Sequence, residues 1–430
     1  MKVAFHTLGC RLNQSESAVL AKSFEEAGYK KTDEAAEADV CVLNTCTVTN
    51  VSDSKCRNWV RRLVRSNPDA KIAVIGCYAE SGFKAIQEIG GVDIVIGNQE
   101  KLNLLKYLPE KKQSKATIIR DRIQKEDFTI DTIGQSDEKA RASLKIQDGC
   151  DFICSFCIIP QVRGRAKSRV FHNLLEEAKG LVELGYKELV LTGVNVGTYN
   201  NESYTFLNVL DALNDLDLPR VRISSIEPTT VAKGILERMA DENHNLVPYL
   251  HLPLQSGSDS VLEEMRRKYS IEEYYDFIHH ANSIVPNITI GTDVILGTPS
   301  EKEEHFDETY AFIKNNPIDY AHAFTYSERT GTTDINKDQI PMQIRKNRTR
   351  MIVELSKEKK MAKLGQYLGC TLSVLFEENS EGFWSGHSEN FLLLKVKSSD
   401  NLLNKIYNVK LIEICGDWGL CELLNNKEKK

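Results

Sequence analysis

The run Gly149-Cys150-Asp151-Phe152-Ile153-Cys154-Ser155-Phe156-Cys157 decides how this chain is read. Three thiolates this close in sequence can hold three irons of a cubane cluster and leave the fourth iron without a protein ligand. Such clusters ordinarily take four cysteines, so a missing fourth ligand points to a site built to bind something else. A three-cysteine zinc site is the competing reading, disfavoured because structural zinc closes with four ligands. The loop sits inside a repeating pattern. Strand-like runs at Leu144–Gln147, Leu189–Thr192, Val221–Ser224, Tyr249–Leu252, Ile288–Ile295 and Ala321–Tyr326 are separated by helical stretches such as Phe171–Gly185, Phe206–Leu216, Ile235–Asp241 and Glu303–Asn315. Six strand–helix repeats predict an incomplete barrel related to the (β/α)8 architecture, with function at the carboxyl ends of the strands. The cysteine loop follows the first strand, where that rule places a site.

Upstream, short β-branched runs at Val3–His6, Val40–Leu43 and Ile72–Ile75 are each followed by a helical pattern, and a fourth run, Val92–Ile96, ends in Gly97-Asn98. This predicts a small parallel sheet covered by helices. Each of the first three strands is followed by a cysteine: Cys10, Cys46 and Cys77. Ligands in open α/β sheets gather at the carboxyl ends of strands, so these thiols are expected to converge as a second trio, again leaving one iron open. Glycine precedes two of them, as Gly9-Cys10 and Gly76-Cys77, which would let backbone approach a bulky cluster. Cys41, in mid-strand, and Cys56, in a helix, read as small core residues. Downstream, a long polar helix from about Gln343 to Leu368 leaves the barrel, and Leu372–Phe376, Phe391–Val396 and Val409–Ile414 predict a small all-β barrel of the kind that binds RNA. The expected class is α/β with domains at 1–135, 136–368 and 369–430.

Composition bounds the rest. A chain of 430 residues with 41% apolar and 27% charged residues is an ordinary globular composition of two or three domains. No apolar run approaches the ~20 residues of a membrane span, so no membrane partner is expected, and the opening Met1-Lys2-Val3-Ala4-Phe5-His6 reads as a strand rather than a signal peptide. Eleven cysteines with metal-like clustering argue against a secreted disulfide framework and for a reducing cytoplasm. A net charge of −6 means that any nucleic-acid binding rests on local patches. Lys55, Arg57, Arg61, Arg62 and Arg65 form one such patch after Cys46. Arg163, Arg165, Lys167 and Arg169 form another beside the second cysteine loop, and both are expected to meet phosphate. Arg345, Lys346, Arg348 and Arg350 are expected to be a solvated face. Residues 370–430 hold seven lysines, no arginine and nine acidic residues, so the strongly basic RNA-gripping barrel expected there is not found. Phe383, Trp384 and Phe391 could stack on bases or form that barrel's core.

The cysteine loop with Ile158-Ile159-Pro160 and Arg163-Gly164-Arg165 behind it, the amino-terminal trio and the terminal barrel occur in one order. So do Ser224-Ser225-Ile226-Glu227-Pro228, His251-Leu252-Pro253-Leu254-Gln255-Ser256-Gly257-Ser258 with Met265-Arg266-Arg267, Thr292-Asp293-Val294-Ile295-Leu296-Gly297, and Tyr326-Ser327-Glu328-Arg329-Thr330-Gly331-Thr332. Over nearly its whole length the chain resembles the methylthiotransferases of the radical S-adenosylmethionine (SAM) class, with a TRAM-like terminal barrel. The resemblance implies two 4Fe–4S clusters, one on Cys150, Cys154 and Cys157 and an auxiliary one on Cys10, Cys46 and Cys77, with SAM as cosubstrate. It implies SAM contacts from Gly193 and Asn195 toward the methionyl amino group, from Ser225 and Glu227 toward the ribose, and from Gln255, Ser256 and Arg267 toward the carboxylate and adenosine. It also implies an electron donor, a sulfur donor, and a 5′-deoxyadenosyl radical that activates a tRNA base for methylthio insertion at C2. Among the family's substrates, Leu8-Gly9-Cys10-Arg11-Leu12-Asn13-Gln14-Ser15-Glu16-Ser17, Asn44-Thr45-Cys46-Thr47-Val48-Thr49 and Arg163-Gly164-Arg165-Ala166-Lys167-Ser168-Arg169 resemble the subgroup acting on N6-threonylcarbamoyladenosine at position 37, in the tRNA anticodon stem-loop. Isopentenyladenosine-37, a ribosomal-protein aspartate, and a cluster-bearing RNA-binding protein without turnover are the alternatives. Gly297-Thr298-Pro299 departs from the family's Gly-Phe-Pro.

Overall fold

The computed structural model describes residues 1–134 and 140–424; the expected boundary between residues 135 and 136 lies outside them, as do Lys427, Glu428, Lys429 and Lys430. The amino-terminal sheet runs β1 (Lys2–Thr7), β2 (Lys30–Lys31), β3 (Val40–Thr45), β4 (Lys71–Gly76), β5 (Ile94–Ile96) and β6 (Thr117–Ile119), in the spatial order 2-1-3-4-5-6 and wholly parallel. Every residue of β3 is buried, as a strand covered by helices on both faces requires. The two strands not expected, β2 and β6, are short edges: β2 is two lysines, and β6 (Thr117-Ile118-Ile119) is only three residues long. The chain leaves β1 for β2 on one side and returns to β3 on the other. That reversal opens a crevice at the carboxyl ends of β1 and β3. Cys10 and Cys46 follow those two strands, and Cys77 follows their neighbour β4.

The next strands are β7 (Arg141–Lys145), a short hairpin β8 (Gln147–Asp148) with β9 (Lys167–Ser168), β10 (Glu188–Thr192), a second hairpin β11 (Asn200–Asn201) with β12 (Tyr204–Thr205), then β13 (Arg220–Ile223), β14 (Tyr249–His251), β15 (Thr289–Leu296) and β16 (Tyr320–Thr325). They form two parallel three-stranded sheets, β13-β10-β7 and β14-β15-β16, joined through the parallel bridge between Val221 and Leu246. All six expected barrel strands are present. Outer helices bury one stripe each, as Leu174, Ala178 and Leu181 do at helical spacing. Among the described residues β7 and β16 do not pair. The amino-terminal domain bridges that open side. At one edge Ser15 Oγ donates to the Ser143 carbonyl at 3.2 Å, and beyond the other Arg329 donates to Thr47 Oγ1 (2.6 Å) and pairs with Asp53 (2.8 Å).

The exit helix spans Met342–Gly365. Its expected solvated face is corrected in part. Arg345 and Arg348 are buried, pairing with Glu328 and with Glu301 and Glu303, while Lys346 and Arg350 are exposed. The final domain is a closed barrel of β17 (Thr371–Ser380), β18 (Phe383–Ser388), β19 (Leu393–Lys397), β20 (Ile406–Cys415) and β21 (Trp418–Leu423), ordered 17-18-19-21-20. Sequence periodicity missed β18 because Ser, Gly and His occupy it. Phe391, read as the start of a strand, instead sits in a turn at φ 66°. Neither Trp384 nor Phe391 is free to stack on a base. Trp384 belongs to the barrel core, and Phe391 lies between Arg222, Arg141 and Tyr249 where the two domains meet.

That junction rests on two buried arginines of β13. Arg220 donates to the His387 and Ser373 carbonyls, and Arg222 to those of Glu389 and Ser388 while pairing with Glu188 at 2.7 Å. Burial pushes the Glu188 carboxyl up, but Arg222 with Arg141 and Arg220 brings it down from 4.5 to about 2. A lowered carboxyl contributes stability that is present above pH 4.5 and lost as pH falls toward about 2. Arg222→Ala strands Glu188 in the interior and is expected to cost about 3–5 kcal/mol. A urea titration showing less than ~1 kcal/mol of destabilisation in this variant contradicts that account.

Candidate functional site

Two cysteine loops and the space between them make up the site. In the first, Cys10 occupies the N-cap of the helix Arg11–Glu26, Cys46 follows β3, and Cys77 opens the helix Cys77–Ser81. The preceding glycines also make room within the protein. A Cβ at Gly9, whose φ is 103°, would lie 2.7 Å from Cys46 Cβ, and one at Gly76 (φ 94°) would lie 2.5 Å from Asn44 Oδ1. They let the ligand-bearing loops touch one another. Asn13 ties two of those loops, its Nδ2 donating to the carbonyls of Leu8 (2.8 Å) and Thr45 (3.0 Å). Burial pushes the Cys46 thiol up to about 11. Cys41 and Cys56 are core residues, as expected, and Cys56 Sγ donates to the Cys46 carbonyl at 3.3 Å.

The second loop is framed by the β8–β9 hairpin. Gly149 passes so close to the Arg165 carbonyl that a side chain there is excluded. Phe152 N donates to Cys150 Sγ at 3.4 Å, Cys157 N to the Cys154 carbonyl at 3.2 Å, and Arg267 Nη1 to Cys154 Sγ at 3.4 Å. Burial pushes the thiols of Cys150 and Cys157 up to about 11 and about 12; it raises Cys154 too, against the pull of Arg267. Thiols held protonated in this way release protons when a metal takes them as thiolates.

The two loops face each other. Cys77 packs on Ile158 and Val162, just beyond Cys157, and Asn98 Nδ2 reaches both Cys77 Sγ (3.6 Å) and the Val162 carbonyl (2.5 Å). Behind them lies a buried charge network that sequence reading missed. Glu16 of the first domain meets Lys101, Lys145 (2.8 Å) and Arg163 (3.1 Å), and Asp148 meets Lys145 (2.7 Å) and Arg163 (2.9 Å). Burial opposes ionisation of Glu16, yet Arg163, Lys101 and Lys145 hold its carboxyl well below the usual range. Arg163 was expected on a phosphate patch and is instead a structural cation. The same correction applies to Arg169, fully buried against Glu177. Of that patch Arg165 is exposed and Lys167 half-buried. On the helix Asn50–Ser66, by contrast, Lys55, Arg61, Arg62 and Arg65 are exposed, and among the described residues none of them meets a carboxylate.

The residues expected around SAM divide into two groups. Arg267 pairs with Glu227 beside Cys154, and burial raises the Glu227 carboxyl despite that partner. Gln255 lines the cleft between the loops and holds a φ of 64°, a strained conformation of the kind that clusters at functional sites. Asn195 is buried with Oδ1 accepting from Thr230 (2.9 Å) and Nδ2 unpartnered. A buried donor of this kind needs an acceptor, which a bound ligand would provide. Gly193 packs against Gln147, whose Oε1 accepts from the Val194 and Asn195 amides, and Ser225 is half-buried beyond β13. Ser256 faces away: its hydroxyl meets Thr309 Oγ1 and the Ser258 amide, both at 3.3 Å.

The cleft, of about 210 Å³, is lined by Val48 and Thr49 from the first domain and by Phe156, Cys157, Gln255, Asp293 and Phe324 from the barrel. Below it His251, Asp293 and His322 bring their ligand atoms within 4.8 Å of one another. Asp293 and His322 are register partners on β15 and β16 and so share one face, an alternation that the sequence reading did not use. Among the described residues theirs is the one such trio; neither cysteine trio is that tight.

The model of the uncharacterized protein family UPF0004 matches residues 2–97, and that of the radical SAM superfamily residues 144–313. The chain is 38% identical to the threonylcarbamoyladenosine tRNA methylthiotransferase MtaB of Bacillus subtilis, over 96% of this chain and 94% of that protein. It is 31% identical to the tRNA-2-methylthio-N(6)-dimethylallyladenosine synthase of Bacillus velezensis, over 97% of this chain and 85% of that protein. Among solved structures, the radical SAM methyltransferase TsrM of Kitasatospora setae shares the fold, with a TM-score of 0.56 at 12% identity over 75% of this chain and 72% of that one. With relatives of 38% and 31% identity over nearly the whole chain, the chain belongs to the radical SAM methylthiotransferase family.

Proposed function

We propose that this enzyme inserts a methylthio group at C2 of N6-threonylcarbamoyladenosine-37 in the anticodon stem-loop of tRNA, acting in the cytoplasm with an electron donor and a sulfur donor. The observation that carries the chemistry is that cysteine loops from two domains pack together beside one cleft: Cys77 sits on Ile158 and Val162, and Cys157 and Ile158 line the cleft with Val48 and Thr49. The substrate choice rests on similarity: 38% identity to a protein named for threonylcarbamoyladenosine against 31% to one named for dimethylallyladenosine. The residues divide into domains at 1–135, 136–368 and 369–430, the last contributing an RNA-binding barrel by shape more than by charge.

Cys150, Cys154 and Cys157 would hold one 4Fe–4S cluster and Cys10, Cys46 and Cys77 the other. When bound, the clusters and SAM supply the radical and the sulfur-bound methyl group that the protein's own side chains lack. The chain's part is to bind, orient and shield. Arg267, anchored on Glu227, donates to Cys154 and presents a fixed cation beside the SAM loop. Asn195 offers its free N–H, and Gly193 keeps the backbone close. The target base must leave its stack to reach such a cleft. Val48, Val51 and Phe324 are exposed near the mouth and offer apolar contact to it, while Lys55, Arg61, Arg62 and Arg65 line a helix that starts beside Thr49 and can follow the phosphates.

Iron content, variant activities, tRNA nucleosides and salt dependence test this. Anaerobically reconstituted protein should carry about eight irons; Cys46→Ala should keep about four and still form 5′-deoxyadenosine from SAM, but transfer no methylthio group. Cys154→Ala should instead lose SAM cleavage; a Cys46→Ala enzyme that still methylthiolates RNA rules out the second cluster. Nucleoside mass spectrometry of tRNA from a deletion strain should show loss of 2-methylthio-N6-threonylcarbamoyladenosine alone, whereas loss of the dimethylallyl product would reassign the substrate. The double change Arg61→Gln with Arg65→Gln should weaken tRNA binding uniformly and lower the log–log salt slope by about 2. An unchanged slope would move the RNA elsewhere.

A further inference from the structure

The proposed chemistry leaves unused a set of buried polar groups directly behind the first cysteine loop. Asn98 follows β5, its backbone N–H held by Glu80 Oε2 at 3.1 Å and its carboxamide held between the Val162 carbonyl and Lys101 Nζ. One end of that carboxamide places Nδ2 3.6 Å from Cys77 Sγ. The other end accepts from Lys101 Nζ at 2.8 Å. Lys101 is 1% exposed, and its ammonium lies on the Glu16 carboxylate. Across the trio the pattern repeats in a different form. Asn13, which ties the Cys10 and Cys46 loops, accepts through Oδ1 from Arg163 Nη2 at 2.6 Å, and Arg163 pairs with the same Glu16. Two buried cations thus each back an asparagine at one end of the trio, and one carboxylate anchors both.

An amide whose oxygen is bound by a cation donates more strongly through its N–H. At Asn98 that strengthened donor is aimed at a sulfur. The surrounding network holds three cationic side chains, Lys101, Lys145 and Arg163, against two carboxylates, Glu16 and Asp148. A buried excess of positive charge is costly unless an anion lies beside it, and a thiolate-bound cluster is such an anion. Hydrogen bonds to the sulfurs and nearby positive charge both favour the reduced form of a cluster and raise its potential.

We infer that Asn98, backed by Lys101, is a positioning residue that sets the reduction potential of the auxiliary cluster through its hydrogen bond to Cys77. The inference rests on the reading that Cys10, Cys46 and Cys77 hold a cluster. Because the same amide also binds the Val162 carbonyl, it couples that setting to the closeness of the two cysteine loops.

The test uses the full chain carrying Cys150→Ala, Cys154→Ala and Cys157→Ala, so that any iron bound reports the auxiliary site alone. After anaerobic reconstitution, iron is counted and the midpoint potential is read by an EPR-monitored redox titration. The parent should hold about four irons. Adding Asn98→Ala should shift the midpoint to more negative values with iron retained, Lys101→Met should shift it the same way by less, and Lys101→Arg should restore it. An unchanged midpoint in Asn98→Ala at full iron content overturns the inference; if Asn98→Ala does not hold iron, an unchanged midpoint in Lys101→Met overturns it equally. A parent that binds no iron defeats the cluster reading itself, and that failure is seen in the iron count before any potential is measured.

Discussion

One buried carboxylate, Glu16, holds this molecule in its working arrangement. It sits on the helix that Cys10 caps, and it meets Lys101 from its own domain and Lys145 and Arg163 from the barrel. Charges of this kind are expensive to bury and strongly interdependent: removing one partner leaves the others unpaired in low dielectric. The network therefore allows little freedom in how the two domains meet. Asp148, immediately before the loop Gly149–Cys157, belongs to the same network, so the register between domains is also the register between the two cysteine trios.

The folds on either side make that contact useful. The first domain reverses its strand order between β1 and β3, which leaves a crevice at their carboxyl ends. Among the described residues the barrel has six strands and an open flank between β7 and β16. Each fold is incomplete where the other begins. The cleft lies at this junction, with Val48 and Thr49 on one wall and Phe156, Gln255 and Phe324 on the other. The carboxyl-terminal barrel is fastened elsewhere, on Arg220 and Arg222, whose donors are taken up by its backbone carbonyls. That anchoring packs Phe391 against Arg141, Arg222 and Tyr249.

Basic residues are where reading by sequence and by structure part most clearly. The run from Arg163 to Arg169 looks like a phosphate-binding patch because four cations lie within seven positions. Yet Arg163 and Arg169 are buried on Glu16 and Glu177, the second of them eight residues away and the first far upstream. On the helix Asn50–Ser66 a comparable cluster is solvent-facing. Nothing in local sequence separates the two cases, because burial of a charge depends on which distant carboxylate the fold brings to it. The same holds for His251, Asp293 and His322, which converge only across three strands.

Sequence by itself determined most of the elements and the placing of the cysteines beside them. Runs of β-branched residues, helical periodicity and cysteines placed just after strands are local patterns, and the backbone chemistry that turns them into strands, helices and loop-borne thiols acts over a few residues. The close spacing of Cys150, Cys154 and Cys157 is plain in the sequence, and the expected position of Cys10, Cys46 and Cys77 after β1, β3 and β4 is where the structure has them. Only the tertiary structure decided how the two trios face one another, that Gly9 and Gly76 serve loop-to-loop contact, and which asparagine reaches which sulfur. Those facts arise from contacts between segments tens to more than a hundred residues apart, as in the 147-residue separation of Glu16 and Arg163, and no local pattern encodes the partner of a buried charge.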